Sequence, residues 1–182
     1  ATGKDQKPAK YDVMFVVDTS GSMNRGVNTN NNASIGYRRI DDVRTAINNL
    51  IDQLAEKKID AQYNLVTFAS SAKPAIGWQS GNRVKEYIKL TTSGWGGTSD
   101  TSNLAPSGGT NYQDGLVKAA NGMGGTRSDA TRVVIFLTDG QSTFHVCDAT
   151  GSWSLKCGPL DNNGIPMEGG GNETEDDDFN GA

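Results

Sequence analysis

Between Tyr11 and Met23 the chain reads YDVMFVVDTSGSM, an apolar run that breaks directly into one carboxylate and two hydroxyls at alternate positions, Asp18, Ser20 and Ser22. Val13, Met14, Phe15, Val16 and Val17 do not alternate apolar with polar. Such a strand needs cover on both faces, which points to a parallel α/β sheet rather than a half-solvated antiparallel one. In open α/β sheets ligands bind at the carboxyl ends of the strands, and Asp18 begins the turn at that end. Gly21 lets the turn bend tightly enough to aim several side-chain oxygens at one point. One carboxylate with two neutral hydroxyls suits a small oxygen-seeking cation such as Mg2+, which keeps water or outside oxygens in its octahedral shell. An ion so held stays under-neutralised and attracts an anion.

Two further segments carry matching chemistry. SGGTNYQDGL sets Thr110 in a Gly-rich loop that leads into a helix, and Asp139 follows the apolar run Val133, Val134, Ile135, Phe136 and Leu137 in VVIFLTDG. Together with Asp18-Thr19-Ser20-Gly21-Ser22, and in this order, they resemble the von Willebrand factor A (vWA) family, shared by integrin inserted domains, matrix proteins and many bacterial surface adhesins. The resemblance implies a Rossmann-like, mostly parallel central sheet flanked by helices, with a metal-ion-dependent adhesion site at the carboxyl edge. It implies Asp18, Ser20, Ser22, Thr110 and Asp139 as the metal-binding set, for Mg2+ or else Mn2+ or Ca2+. In the family the serines ligate directly, the threonine directly or through water, and the aspartates commonly through water; the sequence leaves open which are direct here. The implied role is adhesion: an Asp or Glu carboxylate of a host or matrix protein completes the ion's shell, so that the ion bridges two proteins. The expected setting is extracellular, on a cell surface or pilus.

Enzyme readings fare worse. An aspartyl-phosphate phosphatase would need a second carboxylate two residues after Asp18 for proton transfer, where Ser20 stands. A serine hydrolase would need a histidine beside Ser20 or Ser22, and His145 is the sole supply; the Gly-x-Ser-x-Gly elbow is missing at this turn. Two non-enzymatic alternatives stay open: an intracellular vWA subunit of an ATP-driven assembly such as a metal chelatase, and a structural domain whose metal only holds loops together.

A length of 182 residues favours one domain with a sizeable core. No stretch approaches the roughly 20 apolar residues that cross a bilayer, and the first ten residues, ATGKDQKPAK, hold no hydrophobic signal core. The net charge of -4 comes from the tail: Glu168, Glu173, Glu175, Asp176, Asp177 and Asp178 are six of the 21 acids, and 15 acids stand against 17 bases before them. With no basic stripe interleaved with aromatics, nucleic-acid binding gains no support. Cys147 and Cys157 lie close together in HVCDATGSWSLKCGP, and a disulfide between them is expected. It would stabilise by about 2–3 kcal/mol and place the chain in an oxidising compartment. Two free thiols are the alternative. Zinc is disfavoured, because it wants four ligands and there is one histidine.

Residues 1–10 read as a flexible leader, 11–145 as the vWA-like domain, and 146–182 as a loop or insertion with the disulfide and an acidic Gly-rich tail. Apolar periodicity predicts helices over 39–57, 84–90 and 111–123, the last with Leu116, Ala119, Ala120 and Met123 inward, and strands over 63–68, 72–78 and 133–137. Pro74 pushes the 72–78 strand toward a sheet edge. An Asn-rich stretch, NRGVNTNNNASIGY, reads as a surface loop beside the proposed ion. After Asp139 no apolar run is long enough for a buried strand, so the C-terminal part of the family's sheet is expected to be missing from this chain. Asp114 is expected to be structural and Asp100 a solvated acid or an accessory calcium ligand; Trp78 reads as packing, and Trp95 and Trp153 are not assigned to the site.

Overall fold

A computed structural model describes residues 9–140 of the chain. Strand β1 (Lys10–Asp18) lies in the middle of a three-stranded parallel sheet, with β2 (Asp60–Phe68) on one side and β5 (Thr131–Leu137) on the other. Every residue of β1 from Asp12 to Asp18 is buried, the outcome its unbroken apolar run requires. Helix α1 (Arg39–Glu56) crosses between β1 and β2, and α3 (Tyr112–Asn121) precedes β5. The fold is the α/β, Rossmann-like parallel sheet flanked by helices that the sequence led us to expect.

The pleat of β1 sorts its side chains between two cores. Val13, Phe15 and Val17 pack with Ile40, Ile47 and Ile51 of α1 and Val84 of α2 (Gly81–Tyr87). Met14 and Val16 face the other way, onto Phe68 and Ala119 of α3. Each large side chain so buried contributes about 1.5–3 kcal/mol. The sheet is thus fixed from both faces, which holds its carboxyl edge steady.

Three local expectations need correction. Helix α3 is rotated relative to the stripe predicted for it: Ala119 is buried and Met123 packs against the core, but Leu116 is 49% exposed and Ala120 lies on the exposed side. Gly115 takes the innermost place because a Cβ there would come within 2.8 Å of the Phe68 ring. Tyr112 fixes the same rotation by meeting the Phe68 and Phe136 rings edge-on. Residues 72–78 form no strand; they trail antiparallel along β2, with Lys73 N–H donating to Thr67 O and Ile76 N–H to Leu65 O. Pro74 has no N–H to give, and Gly77 (φ 87°) turns the chain out of the extended region, so the ladder never becomes regular. The apolar run 133–137 is not equally covered: Val134 is 52% exposed, while Val133, Ile135 and Leu137 pack on the α1 side.

The Gly- and Ser-rich stretch after α2 folds into a small hairpin of β3 (Thr92–Ser93) and β4 (Ser99–Asp100). Among the described residues no helix is long and apolar enough to cross a membrane. The expected Cys147–Cys157 bridge, Trp153, the division at 146–182 and residues 1–8 of the leader expected over 1–10 lie outside the described residues.

Candidate metal centre

The site begins where β1 ends. Asp18 is fully buried, and its two oxygens are taken by neutral donors: Oδ1 accepts from Ser20 N–H at 2.7 Å and Oδ2 from the Thr138 hydroxyl at 2.7 Å. The turn that follows is a short 3-10 segment, Gly21–Asn24, which turns Ser20 and Ser22 to the same side with their hydroxyls 3.0 Å apart. Ser22 Oγ donates to Asp139 Oδ1 at 2.8 Å, so the carboxyl ends of β1 and β5 meet through their side chains. Asp139 Oδ2 in turn accepts from Arg39 Nη1 at 2.5 Å.

Main-chain bonds bring the Thr110 loop against this turn. Gly21 N–H donates to Gly108 O at 2.8 Å, and Ser107 N–H to Thr19 O at 2.8 Å. A Cβ on Gly21 would sit 3.3 Å from Gly108 O, and one on Gly108 (φ 77°) 2.8 Å from Ser70 Oγ. Glycine at both positions therefore permits the approach. Asn111 then caps α3, its Oδ1 accepting from Asp114 N–H at 3.0 Å. This cap leaves Thr110 buried just ahead of the helix.

Asp18, Ser20, Ser22 and Asp139 are thus joined in one hydrogen-bonded chain, and Thr110 sits on the loop bonded to their turn. Burial pushes the Asp18 carboxyl above its ordinary value, the hydrogen bonds from Ser20 and Thr138 oppose that rise, and the charge of Asp139 adds to it. Among the described residues Asp18 forms no ion pair. A buried carboxylate next to a second acid, facing two hydroxyl oxygens, is an environment that a hard divalent cation would relieve, and the donor set is all oxygen, as Mg2+ and Ca2+ require. Among the described residues no group of three or more His, Cys, Asp or Glu comes together, so no thiolate or imidazole centre competes with it there.

Asp100 is neither a solvated acid nor placed as a calcium ligand. It is buried against Arg38 at 2.8 Å, in a network where Asp41 accepts from Arg38 at 2.8 Å and from Arg44 at 2.7 Å. This network pins the β3–β4 hairpin to the start of α1. Burial alone would raise the Asp41 carboxyl; hydrogen bonds from Arg38 and the Gly36 N–H outweigh it and bring its pKa to about 2. Asp114 is structural, as expected, accepting from Ala72 N–H at 2.6 Å. Trp78 donates its indole N–H to Gly124 O, and Trp95 is 99% exposed. Two residues that touch the acids of the site escaped the sequence reading: Thr138 on Asp18 and Arg39 on Asp139. Only Arg39 left a trace, as a cation in the first turn of a helix whose dipole disfavours it.

The model of the von Willebrand factor type A domain matches residues 12–153. Among solved structures, the PilB minor pilin from Streptococcus sanguinis matches with a TM-score of 0.64 and 25% identity, over 84% of this chain and 35% of that one. The vWF domain of the type V pili tip protein Mfa5 from Porphyromonas gingivalis matches with a TM-score of 0.57 at 19% identity, over 77% of this chain and 41% of that one. The pilus adhesin RrgA from Streptococcus pneumoniae matches with a TM-score of 0.54 at 19% identity, over 78% of this chain and 22% of that one. Comparison with curated proteins finds no match. With three motifs meeting at one sheet edge and a family match over most of its length, the chain belongs to the von Willebrand factor type A domain family.

Proposed function

We propose that this chain is a non-enzymatic adhesion domain that captures a protein partner through a divalent cation, Mg2+ or else Mn2+ or Ca2+, held by Asp18, Ser20, Ser22, Thr110 and Asp139. When bound, the ion supplies an open coordination position that accepts an Asp or Glu carboxylate of the partner. The observation that carries this reading is the buried Asp18, which has hydroxyl and amide donors but no cation of its own among the described residues. Local charge gives the same sign. Two carboxylates against the single Arg39 leave the site formally one unit negative, and a divalent ion makes it one unit positive, so an outside anion is attracted.

The surroundings suit selection of a partner. Beside the site a cleft of about 690 Å³ lies between the Asn-rich loop and the Gly-rich hairpin, lined by Asn24, Ser34, Arg38, Gly97, Thr98 and Pro106. Residues flanking the partner's carboxylate would lie there, and the loops would decide which partner fits. The likeness to pilus proteins supports a host or matrix protein as partner and an extracellular position on a cell surface or pilus. The purely structural reading of the metal is weaker, because the loops are already joined by main-chain bonds from Gly21 to Gly108 and from Ser107 to Thr19. No observation on the described residues favours the intracellular assembly subunit.

The test is a binding screen against immobilised host and matrix proteins in Mg2+ or Mn2+ and in chelator, repeated with Asp18→Ala and Thr110→Ala. Binding is expected only for the unaltered chain with the cation. Equal binding in all conditions ends the adhesion proposal.

A further inference from the structure

Arg39 is the first residue of α1, where a cation faces the positive end of the helix dipole, with Asp41 and Asp42 in the same turn. Its side chain does not turn away into water. The side chain is 20% exposed, and its guanidinium binds three acceptors at once: Asp139 Oδ2 at 2.5 Å, Gly26 O at 3.2 Å and Thr29 O at 3.1 Å. Asp139 is thereby divided, Oδ1 toward Ser22 and the ion-binding turn, Oδ2 toward Arg39. The two carbonyls belong to the Asn-rich loop, whose main chain is also tied to the helix start through Arg39 N–H and Arg25 O at 2.9 Å. One planar fork thus joins the acid of the metal centre to the loop that borders it.

We propose that Arg39 is a positioning residue that couples occupancy of the metal centre to the order of the loop at 25–33, a role that rests on the ion-binding reading above. An ion that fixes Asp139 through its Oδ1 side fixes the Oδ2 side as well, and with it the guanidinium and the carbonyls of Gly26 and Thr29. Because the two oxygens serve different partners, ion and arginine cooperate rather than compete. By linkage, whatever the ion adds to the order of the loop, the ordered loop returns to the ion. A lysine at this position could keep a charge on Asp139 but could not span both carbonyls from one rigid plane. Charge and coupling can therefore be separated.

The experiment is amide hydrogen exchange over residues 25–33 of the full chain, with saturating Mg2+ and with chelator, alongside calorimetric titration with Mg2+ alone. In the unaltered chain Mg2+ is expected to slow exchange at Gly26, Thr29 and Asn31 by about tenfold, within the usual range of coupling between sites. Arg39→Lys should still take up Mg2+ but lose the slowing, and by the same linkage bind the ion up to about tenfold more weakly than the parent, since only the fork is missing. Arg39→Ala should lose the slowing too, with β1 amides still protected as evidence of folding. Slowing that persists in a folded Arg39→Ala, or in Arg39→Lys if the alanine variant does not fold, overturns the coupling. Mg2+ uptake without any slowing in the unaltered chain also overturns it and leaves the metal centre standing. No Mg2+ uptake at all removes the metal centre and the coupling together.

Discussion

Two aspartates on β1, Asp12 near its start and Asp18 at its end, are equally buried and differently answered. Asp12 accepts from Arg127 N–H at 2.6 Å and from Arg127 Nε at 2.8 Å, and the same guanidinium reaches Asp60 and the Tyr11 carbonyl. Asp18 has a hydroxyl and an amide, and the charge that acts on it is that of another acid, Asp139. One end of the strand is closed by the chain's own cation. At the other, among the described residues, no side-chain cation pairs with the acid, which is where the proposed ion would sit. The comparison separates an acid paired within the fold from one that the proposed function assigns to an ion, a distinction that burial alone does not make.

The largest predicted effect lies at the closed end. Arg127→Ala leaves Asp12 buried without its partner and is expected to lower the unfolding free energy by about 3 kcal/mol, equally with and without Mg2+, as read by urea denaturation. A loss that vanished in Mg2+ would break the comparison. At the open end, Mg2+ at 100 times its dissociation constant should stabilise the unaltered chain by about 2.7 kcal/mol and Asp18→Asn not at all. In chelator the asparagine variant should be as stable as the parent or more so, because a buried charge has gone. A destabilised Asp18→Asn in chelator would mean that Asp18 is as structural as Asp12.

Asp41 offers an internal standard, an acid at the site end that the chain does neutralise. Its pKa falls from 3.8 to about 2 on folding, so the folded state favours the ionised form. Its contribution, about 2 kcal/mol by linkage, is present above pH 4 and is lost as pH falls through 2. Acid titration of stability should therefore show a decline between pH 4 and 2 that Asp41→Asn flattens. The smallest effect tests the neutral donors: Thr138→Val removes the hydroxyl from Asp18 Oδ2 and should cost about 1 kcal/mol in chelator. No change in stability would show that Oδ2 is served by something other than Thr138.

The parts of the fold that could be read from the sequence were those in which neighbouring residues carry the signal. The run from Val13 to Val17 announces a two-sided strand by its lack of alternation, and the repeat of Ile40, Ile47 and Ile51 sets α1, predicted over 39–57 and found over Arg39–Glu56. The rotation of α3 was misread because hydrophobic counting rewards Leu116 and gives no weight to Gly115, whose use is that it lets Phe68 come close. At the site, the spacing of Asp18, Ser20 and Ser22 is local and plain. Its completion is not: Thr138 reaches Asp18 across 120 positions and Arg39 reaches Asp139 across 100, and the Arg38–Asp100 pair spans 62. Single side chains that meet at such separations leave no periodic trace.

If the turn after Asp18 holds a partner, as proposed above, the central place of β1 has a mechanical consequence. A pull on that turn runs along the axis of β1, which is laddered in register to β2 from Lys10 through Asp18 and to β5 from Tyr11 through Val17. Tension is then resisted in shear by both ladders together, and the strand cannot be peeled away bond by bond as an edge strand could.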